Sequence, residues 1–173
     1  MARDTLHTKC RLCRREGIKL FLKGSRCFSS KCPLEKKGPV VPGMHGLKRS
    51  GRLSGYGIQL RAKQKVKRFY GVLERQMRQY FIKAKKMPGM VGHNLLALLE
   101  TRLDNIVYVA GLCLSRPHAK QMVSHQNIKV NGKVLNVNSY QAKIGDTISV
   151  KSLKKIKDVQ IRALDKDFKA PSW

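Results

Sequence analysis

The sequence predicts an α+β chain, helical through its middle and closing on a small antiparallel sheet. Three observations carry that reading. Ile58, Ala62, Val66, Phe69 and Leu73 recur at spacings of three and four, and so do Leu95, Leu99, Leu103 and Ile106, which is helical periodicity. Ile128 and Val130 alternate with polar neighbours, and Asn131-Gly132 follows where a two-residue hairpin needs two positive φ angles. Cys10, Cys13, Cys27 and Cys32 lie in an amino-terminal stretch rich in Gly, Pro and Ser, which has little apolar matter for an ordinary core.

The elements follow in order. Residues 1–50 read as irregular, with turn-forming Gly38-Pro39 and Pro42-Gly43. Ser54 is a candidate N-cap for a helix running to about Tyr70, with Arg61, Lys63, Lys65, Lys67 and Arg68 on the sides away from its apolar stripe. Gly71 marks a bend. A helix from Val72 to Lys86 should bury Leu73, Met77, Tyr80, Phe81 and Ala84, and Pro88-Gly89 ends it. A third runs from Asn94 to Ala110, with Gly111 at the C′ position. Ser115 caps a short helix that tolerates Pro117 in its first turn and turns Ala119, Met122 and Val123 inward. After the hairpin, Gly145-Asp146 turns the chain into a strand over Thr147–Val150, and Ser152 to Lys166 is a basic helix or loose tail. Arg116, Lys120, Lys129 and Lys133 are expected to share one face of this helix-plus-hairpin.

Charge narrows the function. The 173 residues hold 37 Lys and Arg against 10 Asp and Glu, a net charge of +27. Self-repulsion on that scale destabilises a compact state unless a polyanion neutralises it. The excess is uneven: residues 1–65 carry 17 basic and 3 acidic side chains. Met1-Ala2-Arg3-Asp4 is not followed by an apolar stretch, and no apolar run reaches spanning length, so we expect a cytosolic protein without membrane segments or structural disulfides.

The four cysteines have metal-site spacing. Two residues separate Cys10 from Cys13, four separate Cys27 from Cys32, and thirteen lie between the pairs. Close pairs let four thiolates reach one tetrahedral Zn²⁺ at about 2.3 Å. Such a closed site leaves no room for water, so its role is structural; an iron–sulfur cluster and a fortuitous set of reduced thiols are the alternatives. Lys9, Arg11, Arg14, Arg15, Arg26 and Lys31 surround it and favour the thiolate forms. Cys113, in Ala-Gly-Leu-Cys-Leu, reads as a buried small hydrophobe.

Many short motifs resemble one family. They include Arg14-Arg15-Glu16-Gly17, Leu20-Phe21-Leu22-Lys23, Pro42-Gly43-Met44-His45-Gly46, Leu53-Ser54-Gly55-Tyr56-Gly57 and Tyr70-Gly71-Val72-Leu73-Glu74-Arg75-Gln76. Asn94-Leu95-Leu96-Ala97-Leu98-Leu99-Glu100, Arg102-Leu103-Asp104-Asn105, Val130-Asn131-Gly132 and Ser139-Tyr140-Gln141 continue the match. In this order they resemble the bacterial-type small-subunit ribosomal protein S-four family, in its four-cysteine, zinc-knuckle form. The resemblance implies a primary binder of small-subunit ribosomal RNA that acts in the 5′ domain and nucleates assembly. It also implies neighbouring small-subunit proteins as partners, a place near the channel through which mRNA enters, and no small-molecule substrate. Family members continue past the point matching Trp173 with a further basic segment that packs back on the first domain.

The expected organisation is a zinc-knuckle and basic loop region (1–50), a helical part of the first rRNA-binding domain (51–93), the family's RNA-binding module of two helices on a small sheet (94–155), and a basic carboxy-terminal segment (156–173). Arg49, Arg52, Arg61, Lys63, Lys65 and Arg68 are the RNA contacts expected from the first domain, and Arg102, Arg116, His118, Lys120, Lys129 and Lys133 those from the second. Arg102-Leu103-Asp104 can also be read as an internal helix-stabilising element. An RNA-modifying enzyme is disfavoured, since no acidic residue stands beside a His or Cys partner at catalytic spacing. A zinc-containing DNA-binding regulator lacks both finger spacing and a recognition helix.

Overall fold

The computed structural model describes residues 8–46 and 53–151. The chain divides into two compact units, one ending at Glu74 and the other beginning at Arg75. Arg49, Arg52 and the segment from Ser152 onward lie outside the described residues.

The first unit contains α1 (Lys9–Glu16), a 3-10 turn (Gly24–Cys27), α2 (Pro33–Lys37) and α3 (Gly55–Phe69). Residues 8–46, the described part of the stretch expected to be irregular, are thus more ordered than expected. Leu12 and Cys13 give α1 a buried side, Gly17 ends it at φ 70°, and Pro33 occupies the first turn of α2, where a missing N–H costs nothing. Leu12, Cys13, Leu20 and Leu22 form a small core, with Leu34 and Phe69 packed against it. Ser54 caps α3 as expected, its Oγ accepting the Gly57 N–H at 3.2 Å. The apolar stripe of α3 behaves differently from its pattern: Ile58 and Ala62 are exposed and no residue of the helix is fully buried. The reason is that α1 meets α3 through basic side chains, Arg61 and Arg68, which both donate to Glu16.

α4 (Glu74–Lys85) begins at the boundary, and α5 (Val91–Glu100), α6 (Leu103–Val109) and α7 (Arg116–Ser124) follow. α4 buries Met77 and Ala84, whereas Phe81 is exposed, contrary to expectation. The single helix expected over Asn94–Ala110 is broken at Thr101-Arg102. There Arg102 pairs with Gln141 in an isolated antiparallel bridge. The Leu103 N–H donates to Tyr140 O at 2.9 Å, and the Ala142 N–H to Thr101 O at 2.9 Å. The Gln141 side chain donates to Leu98 O at 3.1 Å and so caps the end of α5. These partners replace the helical hydrogen bonds that the break gives up.

β1 (Ile128–Val130) is central, with β2 (Lys133–Leu135) and β3 (Ile148–Val150) antiparallel on either side. Asn131 and Gly132 have φ of 50° and 79°, as the hairpin turn requires. Leu103 and Val107 of α6 and Ala119, Met122 and Val123 of α7 bury against Ile128 and Val130, with Cys113 between the helices in sequence and in the same cluster. Cys113 is completely buried, and burial pushes its thiol up to about 12, so it is the inert hydrophobe expected.

Candidate nucleic-acid interface

In the second unit the Ser115 hydroxyl accepts the His118 N–H at 3.4 Å and starts α7, which carries Arg116 and Lys120 one turn apart. Arg116 is committed to the protein: its Nε donates to Asn105 Oδ1 at 2.8 Å, and its guanidinium lies 4.6 Å from the Tyr108 ring centroid. Asn105 in turn donates to Glu100 O at 3.0 Å. Arg116 is therefore held in a fixed position on the protein. His118 and Lys120 are half-buried.

The expectation that Lys129 and Lys133 share a face with α7 fails on register. Lys133 is paired with Val130, and Lys129 with Val134 and Ser149. Directly opposed residues point to one side of a sheet and successive residues to opposite sides. Lys133 thus lies on the helix-covered side with Val130, and Lys129 on the other.

Arg102 is the clearest correction. It is 1% exposed, so it cannot reach RNA. Its Nε and Nη2 donate to Asp104 Oδ1 and Oδ2 at 2.9 and 2.6 Å, and its Nη1 donates to Tyr80 Oη at 2.7 Å. Burial works against the charge, but the Asp104 and Tyr80 oxygens more than offset it and hold the pKa above its ordinary value. The internal reading of Arg102-Leu103-Asp104 is the one this geometry supports.

The turn that orients Lys133 is held by Asp146. Its carboxylate accepts from Asn131 Nδ2 at 2.9 Å, from the Lys143 N–H at 2.9 Å and from the Tyr140 hydroxyl at 3.2 Å. The Lys143 and Asn131 donors lower the Asp146 pKa below its ordinary value. A carboxylate lowered on folding adds stability above its unfolded pKa, and that stability disappears as pH falls through the folded value. Urea unfolding from pH 6 downward should show wild-type stability falling below about pH 4, and Asp146→Asn should remove part of that dependence. Identical pH profiles would mean the carboxylate does not hold the turn.

In the first unit, Lys63 and Lys67 both pair with Glu74, the latter at 3.0 Å, and their hydrogen bonds lower its pKa. Lys65 is half-buried on the Arg61–Arg68 side. All five cysteines are free. Cys13, Cys27 and Cys32 are buried and Cys10 half-buried. Burial pushes the Cys13 thiol up, the Leu20 backbone hydrogen bond opposes this, and nearby Cys27, Cys10 and Cys32 push it further, so the four sulfurs are electrostatic neighbours. The Lys23 N–H donates to Cys27 Sγ at 3.3 Å. Among the described residues, no group of three or more His, Cys, Asp or Glu side chains is arranged to hold a metal ion.

Residues 5–100 match the family described as ribosomal protein S4/S9 N-terminal domain, and residues 101–148 match the S4 domain. The small ribosomal subunit protein uS4 of Caldicellulosiruptor saccharolyticus is 56% identical over 163 residues, covering 94% of this chain and 77% of the relative. The chain belongs to the uS4 ribosomal protein family. The uS4 of Natranaerobius thermophilus is 50% identical over 168 residues, covering 95% and 79%, and that of Magnetococcus marinus 50% over 172 residues, covering 97% and 81%. The family is one of ribosomal structural proteins, not enzymes.

Within this uS4 chain, sequence reasoning overlooked Glu16, Asn105, Tyr108 and Asp146, which organise the cations. A signal for Glu16 was present. With 3 acidic residues among the first 65, each carboxylate there is a scarce partner for many cations.

Proposed function

We propose that the chain is a structural constituent of the small ribosomal subunit that binds small-subunit rRNA in its 5′ domain and helps nucleate assembly in the cytoplasm. The observation that carries this is the match to proteins named small ribosomal subunit protein uS4 over 94% of the chain. The charge of +27 supplies the physical reason. Lys and Arg meet phosphates and 2′-hydroxyls, and the fold of the RNA is recognised through its shape more than through base edges. Two cationic units on one RNA reinforce each other through effective concentration. Among the described residues, no helix is long and apolar enough to cross a membrane.

The contacts belonging to this reading are Arg61, Lys63, Lys65 and Arg68 from the first unit, with Arg49 and Arg52 beside them in sequence, and Arg116, His118, Lys120, Lys129 and Lys133 from the second. Neighbouring small-subunit proteins and mRNA on its way into the channel complete the expected partners.

A structural Zn²⁺ on Cys10, Cys13, Cys27 and Cys32 belongs to the same proposal. Four free thiols, three of them buried, make a chemically suitable donor set, and the Lys23 N–H on Cys27 is the kind of bond that stabilises a thiolate. When bound, the ion would cross-link α1 to the Gly24–Cys27 turn and the start of α2.

Binding to a 5′-domain rRNA fragment, measured across a salt series, tests the function. Log K should fall linearly with log salt, by about 0.7–0.9 per neutralised phosphate. Lys120→Glu combined with Lys133→Glu should weaken binding and flatten that slope by about one unit per lost contact. An equal preference for duplex DNA, or a slope near zero, would falsify the reading.

A further inference from the structure

We propose that Glu16, Arg61 and Arg68 form a preorganised site for one RNA phosphate, with Glu16 the positioning residue that builds it. The proposal rests on the rRNA-binding reading and deepens it. Arg61 and Arg68 are seven residues apart on α3, two turns along one stripe, and Lys65 lies between them on the same side. Both Nη1 atoms donate to one oxygen, Glu16 Oε1, Arg61 at 3.2 Å and Arg68 closer. The Glu16 side chain is 1% exposed, and its Oε2 is buried with no hydrogen-bond partner among the described residues. The two guanidinium groups balance its charge through Oε1 alone, and that shared oxygen holds them together.

The arginines are not used up. Their side chains are 25% and 21% exposed, and each guanidinium has five N–H donors. Among the described residues, Glu16 is the partner found for each side chain. Two guanidinium charges against one carboxylate leave an excess of one, and Lys65 on the same side adds to it, so the stripe attracts a phosphodiester. Convergence on a buried carboxylate also fixes two long side chains before RNA arrives, so less rotamer freedom is lost on binding. By contrast Lys63 and Lys67 share the exposed carboxylate of Glu74, where solvent screens the pairing and nothing locks the geometry.

The test has a counter-intuitive sign. Glu16→Gln makes the protein more positive by one charge, yet should weaken binding to the 5′-domain rRNA fragment about tenfold, because the arginines lose their common anchor. Arg61→Lys and Arg68→Lys keep charge but lose the planar fork, and should weaken binding similarly. Arginine Nε–Hε resonances of the wild-type protein report directly, whatever the folding of the variants: those of Arg61 and Arg68 should shift when the fragment is added. Unmoved resonances, or a Glu16→Gln variant that folds and binds as tightly as wild type or tighter, would overturn the phosphate site. A wild-type protein that ignores the fragment would overturn the rRNA reading itself, so the two failures are distinguishable.

Discussion

If the proposed Zn²⁺ site forms, exchanging Cys10 for Ser, or adding a strong chelator, is expected to collapse the ordered amide spectrum of residues 8–46 and weaken rRNA binding. The size follows from how little else holds the region. Its core is Leu12, Cys13, Leu20 and Leu22, backed by half-buried Leu34 and Phe69, and its helices have eight and five residues. Helices this short are not stable by themselves, and so small a core contributes only a few kcal/mol before backbone entropy is subtracted. A four-thiolate metal site supplies on the order of 10 kcal/mol, enough to decide whether the region folds. Loss of α1 also releases Glu16 and with it the anchor of Arg61 and Arg68. Amides of β1 to β3 should stay in place, because their core, among the described residues, is built with α6 and α7. A spectrum unchanged by chelation and by Cys10→Ser would remove metal from the folding of this region.

What could be read from residues and what could not divides by the range of the interactions. Ser54, Ser115, Gly111 and Asn131-Gly132 act on backbone groups within a few positions, and each does what its chemistry predicts. The break at Thr101-Arg102 was illegible because the apolar spacing of Leu95, Leu99, Leu103 and Ile106 runs straight through it. The cause lies at Tyr140, Gln141 and Ala142, in a segment no local pattern connects to the helix. Periodicity also misassigned the first half of α3: Ile58 and Ala62 are exposed, while Val66 and Phe69 of the same stripe are half-buried and Glu16 draws Arg61 and Arg68 inward. The candidate interface shows the same limit. Charge composition identified the cations, but only three-dimensional partners separate Arg61 and Arg68, gathered on a carboxylate, from Arg102, which is enclosed.

Arg102→Ala is expected to destabilise the second unit by about 3–5 kcal/mol, because it leaves the Asp104 carboxylate buried without its counter-charge. Asp104 is 4% exposed, and both its oxygens are bonded to the Arg102 guanidinium. A domain of this size has about 5–15 kcal/mol in all, so the variant should unfold well below the wild-type temperature. Asp104→Ala should cost a similar amount for the mirror-image reason. The double variant should cost clearly less than the sum, since each single change strands the other partner. Additive losses, or a cost under about 1 kcal/mol, would contradict an enclosed ion pair. Salt dependence separates this role from an RNA contact. At a temperature where Arg102→Ala remains folded, its slope of log K against log salt should equal that of wild type, whereas removal of a true phosphate contact lowers the slope by about one unit. The hydroxyl of half-buried Tyr80, which accepts the third guanidinium bond, gives an intermediate case: Tyr80→Phe leaves a buried Arg102 donor without its partner, should cost about 1–3 kcal/mol, and should also leave the slope unchanged. A loss of stability with an unchanged salt slope is thus the expected mark of Arg102 as an internal residue.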